Sequence, residues 1–108
     1  MDLREFVLRF RDERDAMFAC YTAPEPTTYV GRLLREAELN DTQHEKVVAA
    51  LGQALTDAFY TILLGLDGSA AIGGIQQDYR IQDETGAMIS KGNGELEALA
   101  SELFQDLS

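Results

Sequence analysis

Apolar residues recur at steps of three and four from Val47 to Leu63, and this spacing places them on one broad face of an α-helix. Three candidate N-caps precede it, Asn40, Asp41 and Thr42, and Thr42 to Glu45 also matches a capping box, in which the hydroxyl and the glutamate each satisfy an exposed N–H group, so we expect the helix to begin there. Gly65 and Gly68 end it, because closely spaced glycines release the backbone. A stripe this broad predicts the central and most buried helix of the fold.

Two other helical patterns precede this one. The first covers residues 2–20 and ends before Pro24 and Pro26, each of which lacks an N–H group and restrains the residue before it. A turn at 22–27 follows, and Thr27 or Thr28 can cap a second helix over 28–39. We expect the charged run from Arg11 to Asp15 to be a solvent-exposed face of the first helix.

Strand patterns follow the glycine-rich joint, residues 65–74. From Ile75 to Gln82 apolar and polar side chains alternate, residues 83–86 have turn chemistry, and residues 87–90 return as a second strand. Helical spacing then resumes from Leu96 to Leu107. A third strand drawn from Ser69–Ile72 is an open alternative.

These patterns predict an α+β fold with three N-terminal helices, a β-hairpin and a C-terminal helix. The hairpin must pack on the helices, because two strands alone are only marginally stable. With 108 residues, 45% of them hydrophobic, the chain is expected to form one domain over residues 1–108.

The formal net charge is −10, and most of it lies in the C-terminal half. Residues 47–108 contain two basic residues, Arg80 and Lys91, against nine acidic ones. Such a surface repels phosphates, so we expect no nucleic-acid partner. It attracts cationic surfaces instead, so a basic protein is the predicted kind of partner.

Side chains suited to catalysis are few. Cys20 is the single cysteine and His44 the single histidine, and we expect a buried or half-buried structural thiol and an exposed imidazole at a helix start. No ligand spacing indicates a metal, and no basic residue lies in the glycine-rich joint to anchor a phosphate. We therefore expect no cofactor, no metal and no enzyme activity. The lone cysteine, the charged N-terminus and the interrupted apolar stretches predict a soluble cytoplasmic protein with no membrane segment.

Three polar residues, Asp57, Tyr60 and Asp67, lie in or beside the most apolar region. The favoured interpretation is a hydrogen-bonded network at the end of a helix. The alternative is a hydrolase site near the glycine-rich joint, which would require the three side chains to meet in a cleft.

The segment LLGLDGSAAIGG, from Leu63 to Gly74, is followed by the hairpin and by GELE at 94–97. This combination resembles a group of small bacterial proteins that have no assigned activity. The resemblance spans roughly residues 56–97 and implies a bacterial origin and one intact domain, without any catalytic residue. In size and acidity the chain is also similar to the immunity proteins that neutralise basic nuclease toxins.

The sequence thus predicts a small acidic protein-binding module, for example an immunity-type inhibitor of a basic partner. The alternative is a homo-oligomeric structural or scaffold protein without catalytic activity, in which the apolar face of helix one or the hairpin edge is buried between copies. The predicted partner-binding surface joins the polar face of the hairpin to the glycine-rich joint, and its residues are Asp67, Gln76, Asp78, Gln82, Asp83 and Glu84.

Overall fold

Four helices and one antiparallel pair of strands make up the described part of the chain, residues 1–104, in a computed structural model. This architecture confirms the α+β class. Leu107, predicted in the last helix, and the end of the predicted domain 1–108 lie outside the described residues. The elements are α1 (Leu3–Tyr21), α2 (Tyr29–Glu36), α3 (Asp41–Leu66), β1 (Ile81–Gln82), β2 (Met88–Ser90) and α4 (Glu95–Phe104).

Helix starts are set by side chains that accept backbone N–H groups. Asp2 caps α1 and Thr28 caps α2. The capping box of α3 uses Asn40 and Gln43 rather than the predicted Thr42 and Glu45: Asn40 Oδ1 accepts the Gln43 N–H at 2.9 Å, and Gln43 Oε1 accepts the Asn40 N–H at 3.1 Å. The N-cap of α3 is therefore two residues earlier than the Thr42 pattern indicated, because the Gln43 side-chain amide completes the same reciprocal pair as a glutamate.

The hydrophobic core lies where α1, the last turns of α3 and α4 meet. Its fully buried side chains come from all three helices, and half-buried residues such as Phe6, Phe10 and Phe59 surround them. The prediction that α3 is the most buried helix is wrong, because α4 buries four of its ten residues whereas α3 buries only Leu63 and Gly65 over 26 residues. The core residues are Val7, Leu63, Leu96, Ala100, Leu103 and Phe104.

The first half of α3 extends away from this core together with α2. We call residues 28–58 the helical arm. Of its residues only Gly31 is buried, where α2 packs on Pro26 and Tyr21 at the end of α1. The described shape is correspondingly elongated, with a radius of gyration of 16.4 Å and extents of 48 × 28 × 25 Å. A compact domain of this length has a radius of gyration of about 13 Å.

The glycine-rich joint folds back on the end of α3. Gly65 makes this approach feasible, because a side chain there would collide with Ile72. Ile72 forms an isolated bridge with Ile75, and residues 69–72 form no strand in the described structure, so the alternative of a third strand is not realised there. The predicted first strand is also shorter than expected, since only Ile81 and Gln82 pair with β2 and residues 75–78 are exposed.

Replacing a buried residue of α4 tests the position of the core. We expect Leu96→Ala to lower the free energy of unfolding by about 2–5 kcal/mol, because it leaves a cavity among α1, α3 and α4. Ile75→Ala is the matched control: Ile75 is 64% exposed, and its truncation should change the free energy of unfolding by less than about 0.5 kcal/mol. Urea denaturation measures both, and equal losses would contradict this placement of the core.

Candidate functional site

Asp67 lies at the C-terminal end of α3, and its side chain is buried, with 2% of the residue exposed. Its Oδ1 accepts the Gly94 N–H at 3.2 Å, and its Oδ2 accepts the Glu97 N–H at 3.1 Å. Both donors belong to the start of α4, so the carboxylate satisfies N–H groups that have no partner inside that helix. Asp67 is therefore a structural cap and not an exposed docking residue, which corrects its place in the predicted surface.

The chain around Asp67 carries exposed carboxylates. Ser69 Oγ lies 2.8 Å from Glu97 Oε2 and 3.2 Å from Asp67 Oδ2, so Glu97 sits over the glycine-rich joint. Asp78 reaches the same place from the other side, against Gly68, whose φ of +80° is readily adopted by glycine alone. We call the exposed carboxylates of Asp78, Glu95 and Glu97 the acidic joint surface.

Gln76 is exposed, and its side-chain amide donates to the Gly68 carbonyl at 2.9 Å. It holds the loop against the glycine-rich joint and so borders the acidic joint surface. The surface predicted from the sequence includes Gln76 and Asp78 but not Glu95 and Glu97. The proximity of GELE to LLGLDGS follows from the cap of α4 by Asp67, a contact between residues about 30 positions apart.

The hairpin turn carries the other predicted site residues. Gln82 and Glu84 are exposed, while Asp83 is half-buried and its Oδ1 accepts the Thr85 hydroxyl at 2.6 Å and the N–H groups of Thr85 and Ala87. The Thr85 hydroxyl, followed by the Thr85 N–H, lowers the pKa of Asp83 below its ordinary value of 3.8, since both bonds favour the charged form. Asp83 therefore acts first as a turn residue.

The suspected hydrolase residues do not converge. Asp57 and Tyr60 line one groove on the side of α3, and Asp57 is exposed and accepts a hydrogen bond from Gln53 at 2.8 Å. Asp67 caps α4 ten residues further along, a rise of roughly 15 Å on a helix. Asp67 thus matches the helix-end network, and nothing joins it to the other two among the described residues.

That groove, of about 980 Å³, runs between α1 and α3 and was not foreseen from the sequence. At its floor lies Arg14, only 3% exposed, although the run from Arg11 to Asp15 was expected to face solvent. Its guanidinium bonds to Asp15 and Thr56 and stacks 4.8 Å from the ring centre of Phe104. The sequence contained a signal for this burial, because residue 14 is seven residues after Val7 and four after Phe10 and so lies on the same face of α1 as they do.

Two other expectations about single residues have different outcomes. His44 is exposed in the first turn of α3, as predicted. Cys20 is exposed as well, so the prediction of a buried or half-buried thiol is wrong. It lies on the outer side of the last turn of α1. Among residues 1–104, no group of three His, Cys, Asp or Glu side chains is placed to hold a metal ion.

Helix α3 is long and apolar enough to cross a membrane by length and composition alone. Only 6% of its most apolar window is buried, whereas the core helix of a soluble protein is mostly covered.

No family model, no curated protein and no solved structure matches this chain. The functional argument therefore depends on the surfaces themselves.

Removal of the Asp67 carboxylate should loosen α4. We expect Asp67→Ala to reduce the free energy of unfolding by about 1–3 kcal/mol, because two N–H groups lose a charged acceptor. Glu84→Ala removes an exposed carboxylate and should change it by less than about 0.5 kcal/mol. Hydrogen exchange should show faster exchange at the start of α4 in the first variant only, and unchanged exchange there would refute the capping role.

The lowered pKa of Asp83 can be measured by NMR titration of its carboxyl carbon. We expect a midpoint below 3.8, and a shift upward toward 3.8 in Thr85→Val, which removes the hydroxyl donor. Because the folded-state pKa is depressed, this group stabilises the fold above its unfolded pKa, and the contribution is lost as the pH falls through the folded value. Thr61→Val, on exposed α3 surface, should leave the midpoint of Asp83 unchanged.

Proposed function

We propose that this chain is a small acidic protein-binding module that docks a basic partner on the acidic joint surface. The observation that carries the proposal is a set of exposed carboxylates without counterions. Asp78, Glu95 and Glu97 form no ion pair in the described residues, and Arg80 and Lys91 are the only bases after residue 66. Glu97 contacts Ser69 and Asp78 lies against Gly68, so two of these charges border the glycine-rich joint, and Glu95 lies at the start of α4.

The geometry favours a rigid docking surface. Glu97 is held by Ser69, Glu95 lies at the capped start of α4, and Gln76 holds the loop that carries Asp78. Of these, Glu97 is bonded to the buried Asp67, through its own N–H group and through the Ser69 hydroxyl. A surface that is ordered before binding loses less conformational entropy when the partner arrives. This supports inhibition by occlusion, the way an immunity-type protein covers a basic active site, in preference to a reaction carried out by the chain.

The hairpin turn contributes less than the sequence suggested. The Asp83 carboxylate accepts three hydrogen bonds within the turn, from Thr85 and Ala87. The exposed polar side chains beside it that remain for a partner are those of Gln82 and Glu84. We therefore place the centre of the binding surface at the glycine-rich joint and its edge at the hairpin turn. A bacterial cytoplasm, where such modules meet their targets, remains the proposed setting.

Charge neutralisation tests the proposed function. We expect the triple variant Asp78→Asn, Glu95→Gln, Glu97→Gln to lose about tenfold in affinity for a basic protein captured by the wild-type chain at low salt, because it removes three negative charges whose attraction to the partner is weakly screened there. Neutral amides keep the size and hydrogen bonding of each side chain. Titration calorimetry at two salt concentrations gives the affinity and its salt dependence.

The matched control is the triple variant Glu5→Gln, Asp12→Asn, Glu13→Gln on exposed positions of α1, which has the same net charge. It should bind like the wild-type chain. Equal losses in both triple variants would mean that total charge, and not the acidic joint surface, decides binding, and would remove the proposed site.

A further inference from the structure

We infer that the helical arm is the interface between two copies of this chain, which pack their α3 helices against each other about a two-fold axis. The arm lies on the opposite part of the fold from the acidic joint surface, so this inference does not rest on the proposed function. It also differs from the alternative drawn from the sequence, which used the apolar face of α1 or the hairpin edge, because the interface here is on α3, and the apolar residues of the first half of α1 pack in the core.

The arm has the apolar share of an ordinary folded chain but no core of its own. From residue 28 to 58 only Gly31 is buried, and Tyr29 and Leu33 remain 67% and 47% exposed. An apolar groove of about 260 Å³ lies open between α2 and α3. The larger groove flanks α3 on its other side. The groove between α2 and α3 is lined by Val30, Leu33, Leu34, Ala37, Leu39, Val47 and Leu51.

The chain exposes more surface than an ordinary monomer of its mass, and the excess is close to the area that a dimer interface buries on each copy. A folded monomer of 11.9 kDa has an accessible surface of about 6,000 Å². This chain exposes 7106 Å², an excess of about 1,100 Å². Stable protein interfaces bury about 800 Å² on each partner. One interface along the arm would therefore bring the exposed surface into the range of an ordinary folded subunit.

The charge distribution of the arm favours a second copy of the chain over a basic protein as its partner. Residues 47–66 contain one charged side chain, Asp57, in a protein whose net charge is −10. Two such chains repel each other least along this helix. In α2 and at the start of α3, Arg32, Arg35 and Lys46 are interspersed with Glu36, Glu38, Asp41 and Glu45, so both signs are available to pair across a two-fold axis.

The outer side of α3 is shaped for close helix packing. Ala50, Ala54 and Ala58 are exposed and follow one another at steps of four, so they share one side of the helix. Small side chains at a crossing allow helix axes to approach to about 8 Å. Ala54 lies next to the midpoint of α3, so an antiparallel pair centred there would place Ala54 opposite Ala54 of the second copy and Ala50 opposite its Ala58.

A membrane fits this surface poorly. The end of α3 is already packed in the core through Phe59 and Leu63, so only residues before them could enter a bilayer. Between Lys46 and Asp57 there are ten uncharged residues, a helical length of roughly 15 Å. A bilayer core is about 30 Å thick. The uncovered part of α3 is thus half the length of a span but long enough for a helix crossing.

Sedimentation velocity of the full chain over a range of concentrations tests the inference. We expect the wild-type chain to be a dimer at about 100 μM and to dissociate on dilution. Ala54→Glu places a charge in the interface and should raise the dimer dissociation constant by about 100-fold. Ala98→Glu, the same change at an exposed position of α4, should not shift it. Circular dichroism confirms that both variants remain helical.

Single-cysteine variants locate the interface. In a Cys20→Ser background, at least one of Ala50→Cys, Ala54→Cys and Ala58→Cys should form an intermolecular disulfide on mild oxidation, and Ala98→Cys should not. A wild-type chain that stays monomeric at 100 μM would overturn the inference, as would a dimer that cross-links at none of the three α3 positions. Co-sedimentation of a monomeric chain with phosphatidylcholine vesicles, lost in Ala54→Glu, would assign the arm to lipid and overturn it too.

Discussion

The buried carboxylate of Asp67 ties the end of α3 to the beginning of α4, and the positions of the other elements depend on that contact. It accepts two N–H groups that α4 cannot satisfy internally, and its negative charge lies at the positive end of the helix dipole. With α4 held there, Leu96, Ala100 and Leu103 face α1 and α3 and complete the core. The same contact turns Glu95 and Glu97 outward beside the glycine-rich joint. One interaction thus places both the apolar core and the exposed acidic surface.

The fold is therefore uneven along its length. One end holds the core, the hairpin and the acidic joint surface, while the other is a two-helix arm with one buried residue. Conformational entropy opposes the ordering of every residue, and burial of apolar surface is the main term that offsets it. The arm buries little within one chain, so a second copy that covers α3 would provide the missing burial. The two proposals thus use separate ends of the fold, the arm for self-association and the glycine-rich joint for a basic partner.

Local sequence signals predicted the helices well because they are local effects. The helical periodicity around Val47, the two prolines after α1 and the cap at Thr28 each act within a few residues, and the structure follows them. The capping box of α3 was predicted at Thr42 and Glu45 but forms between Asn40 and Gln43. Both pairs have the residue types and the spacing that a capping box requires, so the sequence could not choose between them. The strand from Ile75 was overestimated, because alternation signals a strand only where a neighbouring chain pairs with it.

What the sequence by itself determined is the set of helices, the turn at Asp83, the acidity of the second half and the scarcity of catalytic side chains. Tertiary structure decided which of these surfaces is covered. Periodicity shows that α3 has an apolar face, but not whether another element packs on it, and so the shorter α4 became the most buried helix. In the same way, the sequence placed Arg14 in a solvent-exposed run and left Asp67 open between a docking surface and a helix-end network, whereas both side chains are buried. They are buried because hydrogen-bond partners distant in the chain, at Gly94 and Thr56, meet them in the fold.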